Sequence, residues 1–218
     1  MAKEDTLVVH EIYSSIQGES TWAGLPCTFV RTTGCNLRCS YCDTEQAFYG
    51  GTRMKRSDVL SKALSFETPL VELTGGEPLL QPGVIPLLTE LCDAGKTVLI
   101  ETSGERDVSR VDPRVHRIVD LKTPDSGESE GNRWTNLEHL GPRDEVKFVL
   151  CSERDYVWMR DVVREHALPG RVKSVLASTA FGRLAARDVV EWVLRDKLDV
   201  RVQLQMHKYI WAPNQQGV

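Results

Sequence analysis

The chain has 218 residues, 41% hydrophobic and 27% charged, enough apolar material for one sizeable core and a single domain spanning 1–218. No apolar run approaches the roughly 18 residues that cross a bilayer, and the acidic start MAKEDTLVVH lacks the basic and apolar regions of an export signal. No membrane association and a cytoplasmic enzyme or binding domain are therefore expected. With 27 Lys and Arg against 31 Asp and Glu, the net charge of −4 offers no basic field for direct nucleic-acid binding.

In chain order, residues 27–31 (CTFVR) read as the first short strand, and a cysteine-rich loop follows. Ser57 is placed to cap a helix in which Val59, Leu60, Ala63 and Leu64 recur at helical spacing. Residues 70–73 form a strand broken by Gly75 and Gly76, and 84–94 form a helix stopped by Gly95. Strands follow at 97–100, 117–121 and 146–150, and Ser152 caps a helix running to about His166. A strand at 172–177, a helix at 184–194 and a closing strand at 200–206 complete the chain. Residues 124–133 are polar and read as a loop, with a short helical stretch at 134–140 beside it. Strands alternating with helices predict a mainly parallel α/β sheet. About six parallel strands are too few for a closed eight-fold barrel, so an open, partial β/α barrel with an N-terminal extension is expected.

Six cysteines are too few for a disulfide scaffold, and three of them, Cys35, Cys39 and Cys42, crowd into GCNLRCSYCDT. A structural zinc site takes four protein ligands, usually as two pairs. Here one group supplies three thiols and no second pair exists, although Cys27 stands a strand's length upstream. Three thiolates on a [4Fe–4S] cluster would leave one iron open to a non-protein ligand. Thr74, Gly75, Gly76, Glu77 and Pro78 follow the second expected strand, at the carboxyl end where ligands of parallel sheets bind. Two glycines permit close backbone approach there, and a carboxylate can pair with an ammonium group. The sequences around Ser103 and around Asp120, Leu121 and Lys122 repeat polar groups at the next two strand ends. Asp43 and Thr44 are hard oxygen donors suited to Mg2+.

The C-x3-C-x2-C spacing after a first strand resembles the radical S-adenosylmethionine (SAM) superfamily. Residues 13–19 (YSSIQGE), 34–37 (GCNL), 42–44 (CDT) and 205–208 (QMHK) further resemble the 7-carboxy-7-deazaguanine synthase family. The resemblance runs from Glu11 to about Pro213. It implies a lyase acting on 6-carboxy-5,6,7,8-tetrahydropterin in queuosine and 7-deazapurine biosynthesis. A hydrogen is abstracted at C6, the ring contracts, ammonia leaves and SAM is regenerated. No side chain is assigned as the catalytic group.

The resemblance also assigns residues. Cys35, Cys39 and Cys42 are implied to hold a [4Fe–4S] cluster, and Thr44 to contact Mg2+. SAM is implied to lie against Ser40, Tyr41, Asp43, Gly75, Gly76, Glu77, Ser103, Asp120, Leu121, Lys122 and Ser178. Glu77 belongs to the element expected to bind the methionine amino group, and Lys122 is a candidate partner for its carboxylate. Substrate is implied at Ile16, Gln17, Gly18, Glu19, Arg31, Thr74, His207 and Pro213, with Gln17 and Glu19 matching the pterin's amino-amide edge and Arg31 its carboxylate. A period of two over 200–207 places Arg201, Gln203, Gln205 and His207 on one polar strand face. The resemblance also implies that close family members end at the residue matching Pro213, whereas this chain continues through 214–218. A flavodoxin-like electron donor and a homodimer are implied as partners. The competing expectations are a glycyl-radical-enzyme activase, acting on a protein, and a non-catalytic zinc module.

Overall fold

Apolar residues in the strands alternate between two destinations, and this alternation builds the molecule. The computed structural model describes residues 3–213 and 215–218. Its strands are β1 (Thr6–Ile16), β2 (Pro26–Thr32), β3 (Thr52–Lys55), β4 (Leu70–Gly75), β5 (Thr97–Thr102), β6 (His116–Asp120), β7 (Glu145–Leu150), β8 (Ser174–Thr179) and β9 (Arg201–Gln203). Its helices are α1 (Arg56–Leu64), α2 (Val84–Asp93), α3 (Glu153–Glu165), α4 (Ala186–Asp196) and the single turn α5 (His207–Ile210). The strands form one sheet in the order β3-β1-β2-β4-β5-β6-β7-β8-β9. From β2 through β9 every pairing is parallel, while β1 is antiparallel to both β2 and β3. The end strands β3 and β9 do not meet, so the barrel is open as expected.

One face of the sheet carries Val30, Val71, Leu73, Val98, Ile100, Val119, Val146, Phe148, Val175 and Ala177. These pack with Leu87, Leu88, Leu91, Met159, Val163 and Val189 of the helices in the main core. Truncating one such side chain, as in Leu88→Ala, costs about 2–5 kcal/mol because transfer energy and a residual cavity add. The other face starts apolar. Cys27, Phe29, Leu70, Leu99, Ile118 and Leu176 form a small plug with Tyr13 and Trp22. Two residues further along the same face the chemistry changes, because side chains at i and i+2 point the same way. Leu70 gives way to Glu72 and Thr74, Leu99 to Glu101, Ile118 to Asp120, and Phe29 to Arg31. The barrel is thus sealed at one end and polar at its mouth.

Several local expectations change. The expected N-terminal extension takes the form of a full strand over residues 6–16, and β3 was not expected. Both are partly exposed and carry polar residues throughout, so they lack a continuous apolar run. Ser57 does not cap α1: β3 runs directly into the helix, Lys55 is the extended N-cap residue, and the Ser57 hydroxyl bonds Asp58 instead. Ser152 does cap α3, its hydroxyl accepting from the Asp155 amide at 3.4 Å. The closing strand shortens to Arg201–Gln203. Beyond it the Met206 amide donates to Gly18 O at 2.9 Å, drawing the chain into α5 across the barrel mouth.

Candidate functional site

The carboxyl ends of the parallel strands enclose a cavity of about 520 Å3. Cys35, Cys39 and Cys42 line one side of it as free thiols. Their loop is held from beneath: the Glu77 amide donates to Gly34 O at 2.8 Å, and the Gly34 amide to Ala47 O at 2.8 Å. Gly76 is required by this contact, since a Cβ there would stand 2.3 Å from Gly34 O and 2.8 Å from the Cys35 Cβ. The 124–133 loop braces the other side, with the Ser40 amide donating to Ser126 O and the Arg38 amide to Glu128 Oε1. Among the described residues no group of three or more His, Cys, Asp or Glu side chains is placed to hold a single metal ion. Three thiols on one cavity wall without single-ion chelation fit a polynuclear cluster, where each thiolate takes a different metal. Cys27 is sealed in the apolar plug, so it is not a fourth ligand, and neither Cys92 nor Cys151 lines the cavity.

Beside the thiols, Tyr41, Gly75, Gly76, Ser103, Asp120 and Lys122 form a continuous wall. Lys122 Nζ stands 2.8 Å from Asp120 Oδ2 and 5.8 Å from the centre of the Tyr41 ring. Burial works against the Lys122 ammonium, but Asp120, Tyr41 and Cys39 outweigh it and raise its pKa. Asp120 Oδ1 and the Tyr41 hydroxyl are buried and have no hydrogen-bond partner among the described residues, although both residues line the cavity. Buried polar atoms of this kind call for a ligand or water. An aromatic ring, an ammonium and spare acceptors beside a glycine backbone suit a zwitterionic nucleoside such as SAM.

Four expected contacts of this wall sit elsewhere. The Glu77 carboxylate is fully buried and accepts from the Leu79 amide, the Thr102 hydroxyl, and both the amide and hydroxyl of Ser103. It therefore fixes the end of β5 instead of facing an amino group. Leu121 belongs to the core. Ser178 accepts from Gln203 Nε2 at 2.8 Å behind the wall, and the Ser40 hydroxyl is taken by Asp125 O and Arg183.

The floor is a hydrogen-bonded network of charges. Lys147 Nζ is 2.9 Å from Glu19 Oε2 and also bonds Glu101. Glu19 additionally accepts from Gln205 Nε2 at 2.8 Å. Gln17 Nε2 donates to Glu72, and Gln17 Oε1 accepts from the Glu19 amide at 2.9 Å. One ammonium cannot balance three carboxylates. Burial opposes the charge on Glu19, but Lys147 and Gln205 hold its pKa below the ordinary value. Burial raises Glu101 despite Lys147, and burial with Glu101 nearby pushes Glu72 well above the usual carboxylate range.

Arg31 marks the floor's edge, with Nε 2.7 Å from Glu11 Oε1 and Nη2 2.9 Å from the Tyr13 hydroxyl. Asp43 takes Lys208 Nζ at 2.5 Å and the Thr44 hydroxyl at 3.0 Å. Desolvation opposes its charge, yet Lys208 outweighs this and lowers the Asp43 pKa. His207 reaches the cavity as predicted, but from the start of α5 rather than a strand face, packed so closely on Gly18 that a Cβ there would meet Nδ1 at 2.3 Å. Ile16, Thr74 and Pro213 also line the cavity. Asn214 lies outside the described residues, and residues 215–218 border the opening. Sequence reading missed Glu72 and Lys147. Their signal is a charge at an inward position of a largely apolar strand: Glu72 alone in LVELTG, and Lys147 beside Glu145 in EVKFVL.

Comparison with known proteins places this geometry in context. Residues 29–124 match the model of the Radical SAM superfamily. The chain is 48% identical over 221 residues to the 7-carboxy-7-deazaguanine synthase of Chlorobaculum tepidum, with 100% of each chain covered. It is 45% identical to that of Koribacter versatilis, covering 96% of this chain and 99% of that one. The crystal structure of QueE from Escherichia coli matches with a TM-score of 0.76 over 93% of this chain and 95% of that one, at 21% identity, which is a likeness of fold.

Proposed function

Because the chain belongs to the 7-carboxy-7-deazaguanine synthase family of radical SAM enzymes, we propose that it converts 6-carboxy-5,6,7,8-tetrahydropterin into 7-carboxy-7-deazaguanine and ammonia. It is a radical SAM lyase of 7-deazapurine biosynthesis. The observation that carries the detailed reading is the pairing, in one cavity, of a three-thiol rim with a carboxylate-rich floor. When bound at Cys35, Cys39 and Cys42, the cluster supplies, with SAM, the acceptor for a hydrogen atom.

This chain's residues do the positioning. Tyr41, Asp120 and Lys122 hold the nucleoside and its charged ends, with the Gly75–Gly76 backbone close by. Arg31 offers a planar fork to the substrate carboxylate. Glu19, kept ionised by Lys147, offers one further acceptor to the heterocycle, while His207 closes the mouth against Gly18. Gln17 spends both ends of its amide on Glu72 and the Glu19 backbone, and its main chain pairs with Leu25 and Gly24, so its part is to order the floor. Thr44 offers Mg2+ one neutral oxygen, and Asp43 is already engaged by Lys208. Bound there, the ion would supply positive charge to orient the substrate carboxylate. The same reading carries a homodimer, a flavodoxin-like reductant and a cytoplasmic setting. No helix among the described residues is long and apolar enough to cross a membrane.

The test is anaerobic incubation of reduced enzyme with SAM and 6-carboxytetrahydropterin. A deazaguanine product with SAM regenerated supports the reading. Cleavage of SAM without a deazaguanine product favours an activase acting on a protein.

A further inference from the structure

Glu72 occupies the middle of β4, at the level where the inner face of the barrel turns from apolar to polar. Its neighbours across the sheet at this level are Phe29 and Leu99, both in the apolar plug. A carboxyl group there is 2% exposed, yet it lines the cavity. Among the described residues Gln17 Nε2 is its one hydrogen-bond donor, and that donor goes to Oε2. Oε1 receives none. A carboxylate in such a setting is costly unless a ligand pairs it. Gln17 is itself fixed, because its other end accepts from the Glu19 amide, so Glu72 and Glu19 are held at the two ends of one amide.

We propose that Glu72 is a specificity-determining residue whose carboxyl group, aimed by Gln17, accepts the paired N–H donors of the substrate's 2-amino-4-oxopyrimidine edge. This rests on the pterin reading given above. Two adjacent N–H groups match the two oxygens of one carboxylate. The ionised form then gains two donors beyond Gln17, so binding releases the proton that Glu72 otherwise holds. The groups facing it are Glu19 beyond β1, Tyr13 of β1, Cys27 and Arg31 of β2, Glu101 of β5 and Lys147 of β7. Burial, with Glu101 and Glu19, favours the protonated state, and Lys147 and Arg31 oppose it. A purely structural acid at this position would have no preference for a ligand carrying the exocyclic amine.

The test uses reconstituted holoenzyme with SAM bound, titrated anaerobically with 6-carboxytetrahydropterin and with its analogue lacking the 2-amino group. In the native enzyme the analogue binds about tenfold to a hundredfold more weakly, the range of a hydrogen bond to a charged group. Glu72→Gln loses a similar factor for the natural ligand and little for the analogue, and abolishes proton release on binding, measured by calorimetry in two buffers. Glu72→Asp, which keeps the acid but withdraws it by one methylene, lies between. SAM affinity stays unchanged in both variants. Unchanged discrimination in either variant, or equal weakening for both ligands, overturns the assignment. Native enzyme that binds neither pterin overturns the functional reading itself, and this assignment with it.

Discussion

Lys147 Nζ sits 2.9 Å from Glu19 Oε2 while also bonding Glu101, so one buried ammonium on β7 ties the segment after β1 to the end of β5. The Lys147 side chain is 7% exposed. Removing it leaves two carboxylates facing each other with little solvent to screen them. Lys147→Met is therefore expected to lose about 3–5 kcal/mol of stability at neutral pH, the usual cost of stranding one partner of a buried pair. Urea unfolding of the holoprotein measures this. A loss that shrinks as the pH falls toward 4, where the carboxylates protonate, is part of the same expectation.

Glu72 carries the opposite sign. Its folded-state pKa is raised, so between the ordinary Glu value and that raised value the native protein binds more protons than the unfolded chain. Its stabilising contribution is fully present below the ordinary value, about 4.3, and is lost as pH rises through the folded value. Glu72→Gln removes this slope. The variant should match the native protein near pH 4 and exceed it at pH 8 in denaturant midpoint. Parallel stability curves would contradict the assignment of a strained acid.

Arg31 anchors on Glu11 and Tyr13 with its Nε and one Nη, leaving the rest of its fork to the cavity. Arg31→Ala should raise KM for the carboxypterin by about tenfold to a hundredfold, while substrate-independent SAM cleavage stays intact. Arg31→Lys should not restore binding, because an ammonium cannot reproduce the planar fork. Unchanged substrate affinity in the alanine variant would count against the role.

Gly18 and His207 share a contact too tight for any side chain, with the Met206 amide bonded to Gly18 O. Gly18→Ala should displace the 206–208 turn. Turnover should then fall with little change in cluster content or SAM binding, and steady-state kinetics beside the cluster absorbance separates the two. A variant with native turnover would show that the turn does not position the site.

The central strands were legible because β4 to β8 each hold adjacent apolar residues that supply both faces of the sheet, such as Val98 to Ile100 and Phe148 to Leu150. β1 and β3 were not, since their pairing is antiparallel and partly exposed and their polar residues break any run. The thiol rim was legible because its residues are close in sequence. Of the floor, Gln17 and Glu19 were named from a local motif, whereas Glu72 and Lys147 were missed because only sheet register brings them there. Glu77 shows a further limit. Its neighbours named the right loop, but nothing local told that its carboxylate turns back toward Thr102 and Ser103. His207 was found through a strand that does not extend that far. The polar character of the segment survived where its conformation did not.

The most direct measurement is electron paramagnetic resonance of the anaerobically reconstituted, reduced protein before and after SAM is added. A [4Fe–4S] signal that changes with SAM, and that is lost when Cys35, Cys39 or Cys42 becomes Ala but not when Cys92 or Cys151 does, is the expected result. A cluster indifferent to SAM, or a colourless protein carrying zinc on the same thiols, would contradict the account.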